Sequence, residues 1–509
     1  MLREYNLEKQ HKRGRLHAIE RIEHLLDKGT FVEVNAGQLN FTGMQNGSSK
    51  TKYPYDGAIT GYGKIHGKKV CVYSQDVTIV GGTVGAVHGK KIADIVDLAV
   101  KSHCPVIGIN DSGGARIQEA SMSIDAYGKV FFSNSQASGV IPQIVIIAGT
   151  CAGGACYSPA LQDFIFVVDK QSKMFLTGPS VVQSVTGEEI SAEELGGSDM
   201  HSIYSGVAHY RSVSEEACYE DVRRLIQMLP SSAYDRYIVD QTAEYVEKIK
   251  KRNSFFHEKD TKIQDIIPKD PKKAFDVKEV IKELLDDNSM FEIQEEFAPN
   301  MVTAFGKLSG ILVGIVANNS KHIGGIMNCD CSDKAARFIR YCDAYDIPII
   351  TLVDTPGFMP GVNEEKKGII RHGAKMLYAY SEATTIKITV ILRKEYGGAC
   401  LAMGCKALSV DFCYCWPNAE ISIMGADGAI PIIYKKEIAL NNSEEERKRL
   451  EDKYKESYVV AERALENGYI DDIILPEETR ERLFRDIQFL AVNSMTKHST
   501  GIKHNCMPL

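Results

Sequence analysis

The sequence lacks the features that mark membrane-spanning, nucleic-acid-binding and zinc-binding chains. No apolar run in its 509 residues approaches the ~20 residues that a helix needs to cross a bilayer. The net charge of −7 gives no general reason to expect a nucleic-acid partner. The 13 cysteines are scattered, and neither Cys329-Asp-Cys331 nor Cys413-Tyr-Cys415 has the second CxxC pair of a zinc site. We therefore expect no metal in this chain.

The first residues also lack the apolar core of a secretory signal peptide, because MLREYNLEKQHKRGRL is rich in charge. Reduced thiols and a cytoplasmic location are therefore expected. The composition, with 44% hydrophobic and 25% charged residues, is typical of a soluble globular protein. The length suits two domains of about 250 residues each.

An internal repeat, at a separation of 243 residues, is the most informative feature that the sequence does contain. The segment Gly63–Gly114 aligns with Gly306–Gly357 without a gap. The alignment then slips by one residue, and Gly153-Gly154-Ala155 meets Gly397-Gly398-Ala399. A constant register over this length indicates a duplicated domain. Further matched pairs are Lys91 with Lys334, Gly81-Gly82 with Gly324-Gly325, and Asp111 with Asp354.

The repeat extends to the helix that precedes each half. Residues 6–28 predict a charged amphipathic helix, and Val277–Asp287 is its counterpart. The Lys- and Asp-rich stretch near residues 250–272 lies between the two halves. We place the boundary at about 258, which gives an N-terminal domain of residues 1–257 and a C-terminal domain of residues 258–509.

Each half alternates strand and helix patterns. Lys64–Ser74 predicts a hairpin and Gly89–Ser102 predicts a helix. Short apolar runs predict buried strands, each followed by a glycine-containing turn. These runs are Pro105–Asn110, Gln143–Ala148, Pro348–Val353 and Ile388–Leu392. This alternation predicts an α/β architecture with the turns at the carboxyl ends of strands.

The Gly-Gly-Ala turns are candidate anion-binding sites. Glycine lets the backbone adopt unusual φ values and approach a ligand closely. Amide groups at the start of the following helix have no acceptor within that helix, and the helix dipole favours an oxyanion there. Close packing of helix on sheet is the alternative explanation of one such turn. Two turns at matched places favour the binding interpretation.

Other motifs do not fit the site types that they resemble. Residues 85–91 have the wrong spacing for a phosphate-binding loop and lack its Ser or Thr. Ser112 follows a predicted strand, as the nucleophile of a serine hydrolase does. The sequence shows no matching His and Asp in the order of a catalytic triad. The histidines His88, His209 and His372 are interpreted as structural.

Several segments together resemble the carboxyltransferase subunits of biotin-dependent acyl-CoA carboxylases. The nearest type is the β subunit of propionyl-CoA carboxylase, with its relatives in sodium-pumping acyl-CoA decarboxylases. The resemblance covers nearly the whole chain. The segments that carry it are NDSGGARIQ at Asn110–Gln118, CAGGACYSPA at Cys151–Ala160, Thr177–Pro179, DTPGF at Asp354–Phe358, GIIRHGA at Gly368–Ala374, YGGA at Tyr396–Ala399, WPNAEISIMG at Trp416–Gly425 and Lys503–Leu509.

This resemblance implies two tandem crotonase-like domains and a role for each turn. Gly153 and Gly154 would hold the thioester oxygen of an acyl-CoA as its enolate forms, and Gly398 and Ala399 would hold the ureido oxygen of biotin. Biotin itself would be the base, so that no catalytic side chain is needed. Further substrate-binding positions implied by the resemblance are Ala152, Ala155, Gly113, Gly114, Cys400 and Leu401.

The resemblance also implies partners. The chain has no Ala-Met-Lys-Met biotin-attachment site, so biotin would arrive on a separate carrier protein, carboxylated by a biotin carboxylase subunit. The substrate would be a short-chain acyl-CoA, namely propionyl-CoA or acetyl-CoA. The assembly would be a homohexamer, a trimer of dimers, with each site between the N domain of one chain and the C domain of another.

Two other functions remain open at this stage. The same site can run in reverse, as the carboxyltransferase subunit of a sodium-pumping methylmalonyl-CoA-type decarboxylase with a membrane partner. A non-catalytic acyl-CoA-binding assembly subunit is the other alternative. The sequence departs from the family pattern at Ile19, where an Arg is usual and contributes to coenzyme A contact, and at Glu364, Cys400 and Glu456–Tyr458. None of these departures falls on the glycines of the turns.

Overall fold

Two mixed β-sheets with the same strand order organise the protein. The computed structural model describes residues 7–38, 40–42, 51–235, 263–268, 270, 273–441 and 443–494. These residues form two compact units, one ending at residue 235 and the other beginning at residue 263. The predicted boundary near residue 258, and the segment Lys503–Leu509, lie outside the described residues.

The sheet of the first unit has the order β1-β4-β5-β6-β7-β8-β10, with β9 paired to β7. The strands β4 and β5 form an antiparallel hairpin, and β5 to β8 are parallel. The strands are β1 Val32–Val34, β2 Asn40–Thr42, β3 Thr51–Tyr53, β4 Ala58–Ile65, β5 Lys68–Gln75, β6 Val106–Ser112, β7 Gln143–Ala152, β8 Phe164–Val168, β9 Lys173–Phe175 and β10 Tyr210–Ser212.

The sheet of the second unit repeats this order as β11-β12-β13-β14-β15-β16-β18, with β17 paired to β15. Its strands are β11 Phe291–Ile293, β12 Met301–Leu308, β13 Ile311–Asn318, β14 Ile349–Thr355, β15 Lys387–Tyr396, β16 Phe412–Cys415, β17 Glu420–Ser422 and β18 Asp472–Ile473. The predicted α/β class is confirmed.

The α-helices of the first unit are Glu8–His11, Ala18–Leu25, Ala86–Ser102, Ser121–Ala137, Tyr157–Ala160, Pro179–Thr186, Ala192–Gly196 and Glu215–Met228. Those of the second unit are Ile263–Ile266, Val277–Leu284, Cys329–Ala344, Val362–Lys367, Ile369–Glu382, Gly398–Ala402, Ala426–Ile433, Lys435–Leu440, Glu444–Tyr458, Ala461–Glu466 and Thr479–Ser494. The prediction of one helix over residues 6–28 is wrong, because two helices flank Gly14, whose φ of 67° is left-handed.

The sequence repeat is a structural repeat. Shifting β4, β5 and β6 by 243 residues reproduces the bounds of β12, β13 and β14, and shifting β7 by 244 reproduces β15. Both turns between the paired hairpin strands are tight, and His66 and Gly67 have the positive φ values that a two-residue hairpin requires. The one-residue slip in the sequence alignment therefore falls between β6 and β7.

The matched lysines have the same role in both units. The buried Lys91 ammonium donates to the carbonyls of Tyr55 and Ala58. The buried Lys334 ammonium donates to the carbonyls of Gln294 at 2.7 Å and Phe297 at 2.8 Å. Each lysine thus satisfies carbonyl groups of the segment that leads into the hairpin, which explains why the duplication kept it.

Apolar side chains of the parallel strands form the cores. In the second unit one large cluster joins β12 to β16 with helices Val277–Leu284 and Thr479–Ser494. In the first unit two smaller clusters lie against helix Ser121–Ala137, one on β5 and β6 and the other on β7 and β8. Strands buried on both faces read as continuous apolar runs, which is how they were predicted.

Each unit buries an aspartate at the end of its first parallel strand pair, but the charge partner differs. Asp111 accepts a hydrogen bond from Arg21 Nη1 at 3.2 Å, and Arg21 also binds Glu215 at 2.7 Å. A Cβ on Gly149 would lie 2.2 Å from the Asp111 carboxylate, so glycine makes room for it. All three charged groups are buried, and the guanidinium is fully inside the protein.

In the second unit the station of Gly149 is occupied by Arg393, on β15. Its guanidinium binds both carboxylate oxygens of Asp354, at 3.1 and 2.8 Å. The same guanidinium lies over the ring of Phe275, 4.9 Å from its centroid. The duplicated aspartate is therefore neutralised from its neighbouring strand here, and from the N-terminal helix in the first unit.

We predict that Arg21→Met lowers the free energy of unfolding by about 3–5 kcal/mol, because it leaves two buried carboxylates without their cation. Thermal unfolding and urea denaturation measure the change. Lys90→Met is the matched control, since it removes an exposed Lys90–Asp94 pair and costs about 0–1 kcal/mol. A loss with Arg21→Met no larger than that of the control would contradict the role assigned to Arg21.

Candidate active site

The first Gly-Gly-Ala turn lies directly after β7. The strand ends at Ala152, residues Gly153–Cys156 form a 3₁₀ turn, and a short helix begins at Tyr157. Gly153 has a φ of 60°, a left-handed conformation that favours glycine. The chain changes direction at this residue, where parallel strand gives way to helix.

The other glycines predicted for the acyl-CoA side lie beside this turn. Gly114 has a φ of 99°, and a Cβ there would lie 2.7 Å from the carbonyl oxygen of Ala152. Its neighbour Gly113 donates to the carbonyl of Gly81 at 3.0 Å. The structure therefore brings Gly114 against Ala152 at the start of the turn, whereas the contacts of Gly113 are with Gly81 and Thr83.

A tyrosine that the sequence did not single out closes one side of the first turn. The ring of Tyr127, on helix Ser121–Ala137, would lie 3.4 Å from a Cβ on Gly154. Burial raises the pKa of the Tyr127 phenol well above its usual range, so it stays neutral. Small residues and one aromatic ring thus line the first turn.

The second turn has the same construction at the end of β15. Gly397 has a φ of 65°, and its amide donates to the carbonyl of Ser422 at 3.0 Å. Helix Gly398–Ala402 begins at the next residue. Within the part of the chain that the structure describes, no group accepts a hydrogen bond from the amides of Gly398 and Ala399. Gly398 is exposed, whereas Ala399 is fully buried.

Neighbouring residues shape the second turn. The ring of Phe358 would lie 3.8 Å from a Cβ on Gly398. Cys400 is buried, and its thiol lies 3.9 Å from the carbonyl of Ser422. Leu401 is 44% exposed, so an apolar side chain borders the turn on its open side. The predicted residues Gly398, Ala399, Cys400 and Leu401 therefore form one continuous feature.

When the two turns are matched by their structure, the donor pair of the first turn shifts by one residue from the predicted pair. Gly153 and Gly397 share the left-handed φ, so Gly154 and Ala155 lie at the stations of Gly398 and Ala399. The predicted donors were Gly153 and Gly154 in the first turn, but Gly398 and Ala399 in the second. Gly154 is common to both assignments of the first turn, and Ala155 completes the equivalent pair.

A network of tyrosines and carboxylates supports the second turn from the side of β17. Tyr396 donates to Glu420, and Lys455 pairs with the same carboxylate at 3.3 Å. Tyr454 donates to the carbonyl of Met424 at 2.8 Å. These contacts fix the strand end that precedes Gly397, and sequence patterns gave no signal for them.

Glu395, on β15 two residues before Gly397, is the second residue that sequence reasoning missed. Its side chain is completely buried, and neither carboxylate oxygen has a hydrogen-bond partner among the described residues. Burial raises the pKa of this carboxyl to about 8. A Glu within a strand predicts an exposed position, so nothing in the sequence marks it as buried.

The three histidines lie in hydrogen-bonded surroundings. His88 is fully buried between Gln75 and the Asp56 carbonyl, and burial lowers its pKa to about 3. His209 accepts from the amide of Ile165 at 3.1 Å, and His372 pairs with Asp333 at 2.8 Å. These contacts agree with the structural role predicted for all three.

Other kinds of site are absent from the described ranges. No group of three or more His, Cys, Asp or Glu side chains there could hold a metal ion. No helix in the same ranges has the length and apolar character needed to cross a membrane. The cysteines of these ranges are all free thiols.

Known proteins resemble this chain over nearly its whole length. A family model described as the carboxyl transferase domain matches residues 9–504. The carboxyltransferase subunit of propionyl-CoA carboxylase from Haloferax mediterranei is 44% identical, covering 98% of this chain and 95% of the relative. The methylmalonyl-CoA decarboxylase subunit alpha from Veillonella parvula is also 44% identical, covering 99% of this chain and 96% of the relative.

A solved structure places this chain in the same family as these two relatives. The 12S transcarboxylase crystal structure, with methylmalonyl-coenzyme A and methylmalonic acid bound, superimposes with a TM-score of 0.88. It is 41% identical and covers 98% of this chain and 94% of that one. The crotonase-like fold and the enzyme class predicted from the motifs are confirmed. The chain belongs to the carboxyl transferase domain family and is a carboxyltransferase of the type found in biotin-dependent propionyl-CoA carboxylases.

Proposed function

We propose that this chain transfers a carboxyl group between biotin, held on a separate carrier protein, and the α-carbon of a short-chain acyl-CoA, either propionyl-CoA or acetyl-CoA. Its relatives are named for propionyl-CoA and methylmalonyl-CoA, which differ by one carboxyl group. The 12S transcarboxylase that it resembles was solved with methylmalonyl-coenzyme A bound. A small acyl group suits the first turn, which is bordered by glycine and alanine.

The observation that carries this proposal is the pair of equivalent turns after β7 and β15. Each begins with a left-handed glycine and continues into a short helical segment. Amides at the start of such a segment have no acceptor inside it, so they are available to a negatively charged oxygen. One such donor contributes ~3 kcal/mol to the stability of a transition state.

The first turn receives the acyl-CoA in this proposal. The amides of Gly153 and Gly154, with Ala155 beside them, donate to the thioester oxygen as charge develops on it. Gly113, Gly114 and Ala152 border the acyl group in this proposal, which the close approach of Gly114 to the Ala152 carbonyl supports. The amides stabilise the enolate without moving any proton themselves, which agrees with the absence of a catalytic side chain from the predicted site.

The second turn fits a ureido oxygen. The amides of Gly398 and Ala399 have no acceptor among the described residues, and Gly398 is exposed. When bound, biotin supplies the transferred carboxyl group and the base for the α-proton. The chain contributes the two amide donors, while Cys400 and Leu401 border the open side. Leu401 is compatible with a short aliphatic acyl group nearby.

Partners follow from the same proposal. The chain acts with a biotin carrier and a biotin carboxylase subunit, and it assembles as a homohexamer, since the 12S transcarboxylase that it resembles was solved as a hexamer assembly. Large apolar side chains exposed on two helices support an assembly surface. They are Met122, Ile124 and Phe132 in the first unit, and Ile370 and Tyr378 in the second.

The reverse reaction is the second candidate. The methylmalonyl-CoA decarboxylase alpha subunits match this chain at 44% and 45% identity, as closely as the carboxylase subunits do. The same amides stabilise the same charges in both directions, because a catalyst lowers one barrier for both. In that function the partner is a membrane decarboxylase subunit. A non-catalytic role is disfavoured, since both turns keep their glycines.

We predict that Gly153→Val and Gly398→Val each reduce carboxyl exchange at least ~100-fold. Valine at position 153 must adopt a φ near 60°, which displaces the amides that follow. Valine at position 398 has room beside Phe358, but its side chain occupies the exposed space at the start of the helix, next to the Gly398 and Ala399 amides. Initial rates of exchange between methylmalonyl-CoA and free biotin report the effect.

Two matched variants serve as controls. Gly29→Val introduces the same backbone strain at a φ of 73° with no atom within 4 Å, and Gly37→Val adds a side chain in equally open space. Both should keep rates within about threefold of the original protein. Near-normal exchange by either turn variant would show that the assigned turn does not hold the charged oxygen.

A panel of acyl-CoA substrates tests the reaction itself. With a carboxylated biotin carrier as donor, we predict that propionyl-CoA and acetyl-CoA react faster than butyryl-CoA, because the Tyr127 ring packs closely beside Gly154 and limits the room at the first turn. The measurement uses the assembled oligomer and detects the carboxylated acyl-CoA product by mass spectrometry. Binding of acyl-CoA without exchange for any member of the panel would instead support the assembly subunit.

A further inference from the structure

Glu395 is a buried acid that the proposed chemistry does not use. Its side chain has no solvent exposure, and both carboxyl oxygens lack hydrogen-bond partners among the described residues. It lies three positions before Gly398 in the chain, so the two Cα atoms lie within ~11 Å of each other. A buried ionised carboxyl without a partner is strongly unfavourable, so this group keeps its proton unless something compensates.

The groups around Glu395 offer no compensating cation. The titratable side chains that interact with it come from the helix after the turn, the following loop, the neighbouring strand β16 and the segment before β18. All are thiols or a phenol, and burial raises their pKa values, so they are neutral too. They are Cys400, Cys405, Cys413, Cys415 and Tyr469.

Tyr469 is the one group that lowers the pKa of Glu395, through its hydroxyl. That hydroxyl is itself buried and also lowers the pKa of the Cys400 thiol, and its position relative to Glu395 does not meet hydrogen-bond geometry. The Glu395 carboxyl, the Tyr469 phenol and the Cys400 thiol are therefore neutral groups that interact with one another. Burial is the larger effect and holds the pKa of Glu395 at about 8.

The equivalent position in the first unit also carries an uncharged side chain. In the second sheet Thr355 pairs in register with Glu395, and in the first sheet Ser112 pairs in register with Cys151. Cys151 is therefore the equivalent of Glu395, directly before the first turn. Cys151 is also completely buried, and burial raises its thiol pKa well above the usual value. Both turns are thus backed by a proton-carrying group.

We propose that Glu395 is a positioning residue whose protonated form keeps the second turn able to stabilise an anionic oxygen, and whose ionisation switches that turn off. The inference rests on the proposed role of Gly398 and Ala399. The proton leaves to solvent, and the carboxylate that remains repels negative charge at the amides. At a separation of about 11 Å in a protein interior, repulsion between like charges changes a rate by about tenfold.

The pH dependence of kcat/KM tests the proposal. For the original protein, exchange declines as the pH rises through about 8, because the charged form of Glu395 accumulates. Glu395→Gln and Glu395→Cys both remove this charge, and the cysteine rebuilds the residue of the first turn. The ratio of variant to original activity should be constant below about pH 7 and rise ~tenfold by about pH 10.

Glu292→Gln is the matched control, because burial also raises the pKa of that carboxyl, which lies on β11 away from the turn. Its ratio to the original protein should not change with pH. Infrared spectra of the protein without substrate provide a second readout. The original protein should show a protonated carboxyl band that disappears above about pH 8 and that Glu395→Gln lacks.

The outcomes separate this inference from the proposed function. No exchange by the original protein at any pH would refute the proposed function, and the infrared titration would still report on Glu395. Exchange with parallel pH profiles for original and variants would refute the inference alone. A carboxylate band already complete at about pH 7, below the pKa of about 8, would also overturn it. If Glu395→Gln fails to fold, Glu395→Cys carries the comparison.

Discussion

One backbone conformation determines where both candidate binding turns lie. Gly153 and Gly397 adopt φ values of 60° and 65° at the point where a buried parallel strand meets a helical segment. A side chain there would be strained, so only glycine lets the chain turn sharply enough to leave amides at the strand end. The surrounding small residues and supporting hydrogen bonds matter because they preserve this geometry.

The strands that lead into the turns also bury ionisable side chains, which must be paired with an opposite charge or stay neutral. Asp111 and Asp354 occupy the same station, yet Arg21 neutralises one and Arg393 the other. Cys151 and Glu395 share a station too, and both are neutral in a buried setting. The duplicated halves thus keep their backbone in register, while the chemistry beneath it has diverged.

Much of the fold could be predicted, because the repeat and the apolar runs are local signals. The hairpin at His66 and Gly67, the parallel strands and the turns all appeared in the sequence pattern. The helix over residues 6–28 was wrong, since periodicity outweighed Gly14 in the prediction. Strand ends were also placed too early, because polar residues such as Ser112 and Thr355 continue the ladder.

The glycines of the candidate site could be predicted from the sequence, but the side chains that pack around them could not. Residues Gly153, Gly154, Gly398 and Ala399 carry a motif, whereas Tyr127, Glu420 and Glu395 act through contacts between segments that are distant in sequence. Burial of a glutamate depends on which face of β15 it occupies after a register shift, and no periodicity encodes that shift. Only coordinates reveal such residues.

The different solutions to the aspartate charge also limit how this protein can evolve. Copying the β7 sequence over β15 would replace Arg393 with glycine. Asp354 would then be buried without a cation. The reverse copy would force an arginine side chain into the space that Asp111 occupies beside Gly149. The two versions of this strand are therefore not interchangeable, because each fits only the aspartate environment of its own half.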